Sequence, residues 1–571
     1  MKNIYNFSNI KGDLFGGLTA GVVALPLALA FGVMSGMGAA AGLYGAIFTG
    51  VFAAVFGGTP SQITGPTAPM TTVVIGLVAT AIAAKGEIVA EGGGFFLLIA
   101  TFILAGIFQV IMGLTGIGKY IRYIPYPVVS GFMSGIGLII LVTQILPFMG
   151  VPAEVVVQED AKGTIGTLSN LNLAIEHINV SSLGLAALTV LIIFLFPKIT
   201  KAVPSALVAL VVVSGISYFF VTDVEVLGKM PEGFPALKVN VLAQLTMSDI
   251  GFIIIPAIML AFLGAIDSLL TSVVADNVTK TKHNSSQELI GQGIGNMVSG
   301  MFGGLPGAGA TIRTVVNVNN GGKYRLSGVI HGLLLLLVLL GAGPVVMYIP
   351  HAVLAGILVT VGISIIDYKG LKDMRFIPVS ETVIIISVMG ITVFYDLIVA
   401  VLIGMMVATI VFMKKMGDIT DKKSKIESLD TYKDGVAWDD EKGMPEVLKE
   451  KVFIKHLDGP LFFGYKSKFQ ELYESLPDIK YVVIRMERVP YIDQSGVYAL
   501  EESLLYLEER GINALITGLQ EQPKQLMESL SLVPELIGED EVFNDFHSCI
   551  SWLKRILTDS KGALEDNEIV D

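Results

Sequence analysis

The chain has few charged residues and a single cysteine. Only 15% of its 571 residues are charged, whereas 53% are hydrophobic, and the mean hydropathy is +0.70. Such a composition excludes a soluble protein and is typical of a multispanning membrane protein. The lone Cys549 excludes an intrachain disulfide, so the fold does not depend on an oxidising compartment.

Patterns that would indicate an enzyme or a cofactor are also missing. The six histidines are scattered and lack the spacing of metal ligands. Gly291–Gly295 resembles part of a dinucleotide fingerprint, but it follows no predicted strand. No nucleophile and base form a recognisable catalytic group. We therefore expect no catalysis, no cofactor and no nucleic-acid partner.

Long apolar runs account for most of the chain. We predict fourteen transmembrane segments, two of them short half-helices, near 12–34, 41–57, 66–84, 95–113, 126–149, 182–198, 203–222, 251–274, 286–302, 310–320, 327–341, 351–366, 381–396 and 398–416. With both termini inside, fifteen Lys and Arg residues are cytoplasmic and only Lys85, Lys162, Lys229 and Lys238 are external. This charge bias predicts a multi-pass protein with both termini in the cytoplasm.

The composition changes abruptly after Met416. We predict a transmembrane transport domain at 1–416, made of repeats at about 12–222 and 249–416, and a charged linker at 417–448. Alternating strand and helix patterns then predict a small cytoplasmic α/β domain at 449–559. Residues 560–571 are predicted to be a tail.

Two helix breaks lie in corresponding places of the two predicted halves. Gly303–Thr314 and Gly65–Pro69 interrupt apolar segments with Gly and Pro, which cannot continue a regular helix. Paired breaks of this kind indicate the binding site of a transporter built from an inverted repeat. Each restarted helix has unpaired N–H groups with partial positive charge, and Arg313 adds a full charge. The sequence therefore predicts an anion site between the two breaks.

Asp267 is a candidate cation ligand. It lies in an apolar segment four residues before Thr271, so both side chains share one helix face. An acid at this depth usually faces a cavity or a partner. One hypothesis is an oxygen shell completed by Thr271 and by carbonyl groups of the second break. The alternative is a structural salt bridge between Asp267 and Arg313.

Two hydroxyl residues remain open to more than one interpretation. Thr67 lies inside the first break, where it is either an anion ligand or a local helix cap. We expect a small anion to accept hydrogen bonds from Thr67 and from N–H groups near Ala68 and Ala310. In the soluble domain, Ser495 is a possible regulatory phosphosite, although a turn capped by Asp493 explains the same pattern.

These residues resemble the sulfate permease family, also called the solute carrier 26 family, over nearly the whole chain. The similar motifs lie at 17–26, 65–69 and 303–313, and the turn at 493–496 resembles that of a STAS domain (sulfate transporter and anti-sigma factor antagonist). Within the family, residues 265–276 and 305–311 are most similar to cyanobacterial bicarbonate transporters.

The resemblance implies an α-helical polytopic protein with seven-plus-seven inverted repeats, divided into core and gate domains, and a homodimer embedded in lipid. It also implies sodium as the coupling ion and bicarbonate as the anion. The implied sodium-site residues are Asp267, Thr271, Gly309, Ala310 and Thr311. The implied substrate-binding residues are Thr67, Ala68, Ala310, Thr311 and Arg313.

We therefore interpret the chain as a secondary active anion transporter of a bacterial inner (plasma) membrane, with sodium-coupled bicarbonate symport by alternating access as the first hypothesis. A second hypothesis is proton-coupled transport of sulfate or a dicarboxylate on the same scaffold. Many proton-coupled members resemble this chain but carry Glu at the Asp267 position. A third is a passive anion channel.

Overall fold

Two units, Met1–Ala408 and Thr409–Asp571, make up the chain. The computed structural model describes residues 8–85, 94–159, 161, 163–200, 203–221, 223–228, 233–395, 397–423, 426–428, 439–441, 452–461 and 479–565. The last part of the predicted tail, 566–571, lies outside the described residues.

A helix is present at each of the fourteen predicted apolar segments, because a backbone in lipid must satisfy its own hydrogen bonds. The first unit begins with α1 Ile10–Met34, α2 Ala39–Phe56, strand β1 Thr64–Gly65, α3 Ala68–Lys85, α4 Phe95–Thr115, α5 Tyr126–Thr143, α6 Ile145–Met149, α7 Ala153–Gln158, α8 Gly163–Ser169, α9 Asn172–Glu176, α10 Val180–Ile199 and α11 Ser205–Phe220. It continues with α12 Ile250–Thr279, α13 Ser285–Met301, strand β2 Ala308–Gly309, α14 Thr311–Asn319, α15 Arg325–Val346, α16 His351–Ile365, α17 Tyr368–Asp373, α18 Val379–Phe394 and α19 Leu397–Lys423.

Eight of the described helices are long and apolar enough to cross a membrane, and four shorter ones are apolar. The total of fourteen crossings stays a prediction. The helices form two bundles. In one, α13 packs on α2 and α4, while α15 packs on α1 and α2. In the other, α5 packs on α16 and α18, and α10 packs on α11 and α16. These bundles correspond to the expected core and gate.

The core shows equivalent contacts in its two halves. At the start of α1, Asp13 Oδ1 accepts hydrogen bonds from the Lys323 and Tyr324 N–H groups at 2.7 and 3.0 Å, just beyond α14. At the start of α12, Asp249 Oδ1 pairs with Lys85 Nζ at 3.0 Å, at the end of α3. Each half therefore fixes the far end of the other half's broken helix, as expected of an inverted repeat.

The second unit contains a five-stranded sheet in the order β3-β4-β5-β6-β7. Its strands are β3 Ile426–Ser428, β4 Val452–Asp458, β5 Tyr481–Arg488, β6 Asn513–Thr517 and β7 Val542–Phe543, and its helices are α20 Gln494–Glu509, α21 Glu521–Ser529, α22 Leu532–Glu535 and α23 Phe546–Glu565. Strands β4 to β7 are parallel, whereas β3 is antiparallel at one edge. Leu500 and Leu504 of α20 pack on one face of the sheet, and Cys549 and Leu553 of α23 pack on the other.

Part of the predicted linker at 417–448 is folded. Helix α19 continues to Lys423, and Ile426–Ser428 pairs with β4. Further along, Glu441 accepts a hydrogen bond from buried Arg485 and lies 2.7 Å from His456 Nε2. Burial alone would raise the pKa of Glu441, but His456 and Arg485 outweigh burial and lower it. A charged segment thus folds against the sheet because it supplies carboxylates to a buried cation.

Candidate functional site

The two helix breaks meet in the core as a short antiparallel crossing, formed by β1 and β2. Thr64 pairs with Gly309 and Gly65 pairs with Ala308. The Ala310 N–H extends the crossing by donating to the Ile63 carbonyl at 2.8 Å. The pairing satisfies the hydrogen-bonding groups of backbone that is not helical at this depth in the membrane. As a result, α3 and α14 both begin at the crossing.

Glycine is required where the two backbones touch. A Cβ atom on Gly307 would lie 2.5 Å from the Gly65 carbonyl carbon, which is closer than such atoms approach. A side chain on Gly65 would also contact the guanidinium of Arg313. The Gly-rich composition of both breaks therefore follows from the close approach of the chains.

Arg313 lies beneath the crossing, and its side chain is 2% exposed. Its Nη2 donates to the Pro66 carbonyl, whereas Nη1 has no hydrogen-bond partner in the described part of the chain. Asp267 lies within range of its charge, but the described residues show no direct ion pair between them. The alternative of an Arg313–Asp267 salt bridge is therefore not realised, and the Arg313 charge remains available at the start of α14.

Oxygen atoms converge where α12 passes the crossing. Thr271 Oγ1 lies 2.9 Å from the Gly309 carbonyl oxygen and 2.7 Å from Thr311 Oγ1. Asp267 lies one turn earlier on α12, and its buried Oδ2 is without a partner among the described residues. Carboxylate, carbonyl and hydroxyl oxygens are the ligands that hard cations prefer. The fifth predicted residue, Ala310, accepts a hydrogen bond from Thr314 N at 2.9 Å.

Thr67 precedes α3 and has a free hydroxyl. Its carbonyl accepts the Thr71 N–H at 2.9 Å, but its buried Oγ1 has no hydrogen-bond partner within the described ranges. The side chain therefore does not cap the helix, which was the alternative interpretation. Asp267 lies close enough to interact with Thr67, so the candidate anion and cation ligands are neighbours.

The N–H groups near Ala310 differ in whether they are free to bind an anion. The Ala310 N–H is already used, because it donates to Ile63 in the crossing. The first hydrogen bond inside α14 runs from Thr314 N to the Ala310 carbonyl. The amides of Thr311 and Ile312 precede that bond, so they are the N–H groups that a helix start offers to an anion. Ala68, which is 3% exposed, begins α3 on the other side.

A cavity of 170 Å³ opens beside these ligands, between the two bundles. The core contributes Asp267 and Thr311, and the gate contributes the first turns of α5. The full lining consists of Pro69, Ile124, Val128, Val129, Phe132, Met133, Leu263, Ile266, Asp267, Leu270, Thr311 and Val401. This volume is well below that of sites for drug-sized molecules, so the cavity suits a small ion.

The sequence interpretation missed Glu288, a second acid in the core. Its side chain is 1% exposed, and its two oxygens accept four hydrogen bonds from N–H groups. On the same face of α13, Asn296 donates to the Gly307 carbonyl at 3.0 Å and Gln292 donates to Thr64 Oγ1 at 2.8 Å. The spacing of four residues between Glu288, Gln292 and Asn296 is a signal that could have identified this face.

Ser495 lies at the start of α20 and is exposed. Asp493 Oδ1 accepts the Gly496 N–H at 2.7 Å and so caps the helix. The cap explains the local sequence without phosphorylation. Modification of Ser495 stays a prediction.

Comparison with known proteins adds to this geometry. The sequence profile of the sulfate permease family matches residues 10–388, and that of the STAS domain matches residues 446–549. Bicarbonate transporter BicA of Picosynechococcus sp. is 40% identical over 540 residues, which cover 93% of this chain and 92% of that protein. The putative sulfate transporter YvdB of Bacillus subtilis is 31% identical over 507 residues, covering 87% and 88%.

A solved structure gives a similar result. The transmembrane domain of a cyanobacterium bicarbonate transporter BicA superimposes with a TM-score of 0.64 at 44% sequence identity. The match covers 70% of this chain and 99% of that domain. These curated relatives are transporters, and the similarity extends through both helix breaks.

Proposed function

Because this chain belongs to the sulfate permease family of anion transporters, we propose that it carries bicarbonate together with sodium by alternating access. The observation that carries the proposal is the group of oxygens at Asp267, Thr271, Gly309 and Thr311, which lies beside the free Thr67 hydroxyl. The bicarbonate-transporting relatives support the choice of anion.

Coupling follows from the charge of Asp267. Without a cation, an ionised Asp267 repels an anion bound near Thr67, and the repulsion is strong where water is scarce. Sodium bound at Asp267 neutralises that charge, so the helix starts and Arg313 then attract the anion. Each ion therefore binds better when the other is present, which is the requirement for symport.

Two cavities between the bundles support alternating access. The 170 Å³ cavity is lined by the first turns of α5, including Val128 and Phe132. A second cavity, of 420 Å³, is lined by the opposite end of α5, including Thr143 and Gln144, and by the end of α1. Under the predicted topology, the smaller cavity faces the cytoplasm and the larger one faces outside. Rocking of the core against the gate would expose the crossing to each in turn.

A second candidate function is proton-coupled transport of sulfate or a dicarboxylate, because the chain is also similar to the putative sulfate transporter YvdB. The experiment that separates them is uptake of radiolabelled bicarbonate, sulfate and succinate into proteoliposomes, with an inward sodium gradient or an inward proton gradient. We expect bicarbonate accumulation with sodium alone. Accumulation of sulfate or succinate driven by protons would contradict the proposal, and equilibration without accumulation would indicate a channel.

We further propose that the protein is a homodimer in a bacterial inner membrane, with the STAS domain in the cytoplasm. The charge bias of the loops supports this orientation. Family resemblance alone supports the dimer. Crosslinking in native membranes, followed by sizing of the purified protein, tests the oligomeric state.

A further inference from the structure

Glu288 touches neither Asp267 nor Thr67, yet its carboxylate is fully engaged. Its Oε2 accepts the N–H groups of Gly58 and Thr59, each at 2.8 Å. Its Oε1 accepts Gln62 Nε2 at 2.8 Å and Gln292 Nε2 at 2.7 Å. Four N–H donors occupy both carboxylate oxygens and leave no lone pair directed at a cation. Glu288 is therefore placed to hold protein groups, not to bind an ion.

Gln62 connects Glu288 to the crossing. The Gln62 side chain lies against Gly309, because a Cβ atom on Gly309 would be 2.2 Å from Gln62 Nε2. The other end of the Gln62 amide is also held, since Oε1 accepts from Ser272 Oγ at 2.9 Å. Ser272 Oγ in turn lies 2.7 Å from Thr59 Oγ1. These contacts close a ring that joins the loop before β1 to α12 and α13.

Gly309 is held from α12 as well. Its N–H donates to Ser268 Oγ at 3.0 Å, and its carbonyl accepts from Thr271 Oγ1 at 2.9 Å. The Gln62 amide covers the remaining side. Three side chains therefore surround the Gly309 peptide, and one of them, Gln62, is bonded to Glu288.

We propose that Glu288 is a positioning residue for the cation site, acting through Gln62 on the Gly309 carbonyl. The inference rests on the sodium site proposed above. Groups that orient metal ligands from outside the coordination shell typically change metal affinity 10- to 100-fold when mutated. Glu288 is expected to act in the same way, because it bonds Gln62 and not the proposed ligands themselves.

The test is Glu288→Gln in the full-length protein, purified in detergent. An amide offers one accepting oxygen instead of two, so two of the four N–H donors lose their acceptor and Gln62 is released. We expect the half-saturating sodium concentration to rise at least tenfold, measured from the sodium-dependent shift in melting temperature. Uptake should show the same rise in the sodium KM, with a smaller change in maximal rate.

Two further variants keep the test decisive. Ser272→Ala removes the hydroxyl that donates to Gln62 Oε1 and alters the core less than Glu288→Gln does. It therefore replaces Glu288→Gln in the test if that variant does not fold. It should also raise the half-saturating sodium concentration. Gln287→Met is the matched control, because Gln287 is the neighbour of Glu288 on α13 and its side chain bonds the Phe56 carbonyl outside this ring, so it should leave sodium affinity unchanged.

The outcomes separate the two proposals. If the parent protein shows no sodium-dependent shift in melting temperature, the sodium site itself is refuted. If the parent responds to sodium, and Glu288→Gln and Ser272→Ala melt at lower temperature with the parent's half-saturating concentration, the sodium site stands. Glu288 is then only a structural residue, and the positioning inference is overturned.

Discussion

Replacing Thr67 by alanine should weaken anion binding without weakening the fold. The Thr67 hydroxyl is buried at the start of α3 and has no partner among the described residues. A buried hydroxyl without a hydrogen bond costs stability, and the cost is recovered when a ligand accepts its proton. The Thr67 hydroxyl therefore destabilises the empty protein and stabilises the complex with the anion.

The size of both effects follows from this burial. A hydrogen bond to a charged group contributes about 1.5–3 kcal/mol, and the lower figure corresponds to roughly tenfold in affinity. We expect Thr67→Ala to raise the apparent KM for bicarbonate by about tenfold. Because the lost hydroxyl was unsatisfied, the melting temperature of the empty protein should stay the same or rise.

The assay is bicarbonate uptake at varied concentration, paired with thermal unfolding in the absence of bicarbonate. Thr71→Ala is the matched control, since Thr71 lies one turn later on α3 and its hydroxyl donates to the Thr67 carbonyl at 2.8 Å. The control should lose a little stability and keep the parent's KM. Equal KM values for the two variants would refute the assignment of Thr67 as an anion ligand.

Three further predictions test other parts of the account. Ala310→Leu should abolish uptake with normal membrane levels, because the added side chain at the start of α14 would fill the space for the anion; normal uptake would show that the cargo passes elsewhere. Glu441→Gln should destabilise the C-terminal unit by about 1.5–3 kcal/mol, because buried Arg485 loses one of the three carboxylate partners that the structure describes and keeps Asp440 and Glu487. Folding lowers the pKa of Glu441, so its contribution to stability is present at pH values above the unfolded pKa and is lost as pH falls through the folded pKa. Thermal unfolding followed by tryptophan fluorescence measures the difference in stability between the variant and the parent. A difference that does not change with pH would contradict this prediction. With the native cysteine replaced by alanine, Ser248→Cys should react with an impermeant maleimide in intact cells and Ser495→Cys only after permeabilisation; the reverse pattern would invert the topology.

The helices could be predicted because their signals are local. Long apolar runs, Gly and Pro breaks and clustered Lys and Arg each act within a few residues. Asp267 and Thr271 could be paired for the same reason, since helical spacing places them on one face. Resemblance to a known family then identified Gly309, Ala310 and Thr311 as the residues of the second break that join this face.

Contacts between distant segments could not be predicted from such local signals. The pairing of Thr64 with Gly309 joins the two halves. The Ala310 N–H bonds to Ile63 of the other half, so the amides that we expect to bind the anion near Ala310 are those of the residues after it. Glu288 lies in the polar first turn of α13, and it becomes buried only because the loop before β1 folds over it. Strand β3 was missed because Ile426–Ser428 is too short to show a pattern and is fixed by β4.

The central claim is that Asp267 couples anion uptake to sodium, and one comparison tests it most directly. Bicarbonate uptake into proteoliposomes should be measured across a range of sodium gradients for the parent, for Asp267→Asn and for Asp276→Asn, a control acid on the same helix. We predict that the parent and Asp276→Asn accumulate bicarbonate in proportion to the gradient. Asp267→Asn should fold and insert normally but show no sodium-dependent uptake. If Asp267→Asn retains the parent's sodium dependence, the cation site lies elsewhere and the account is wrong.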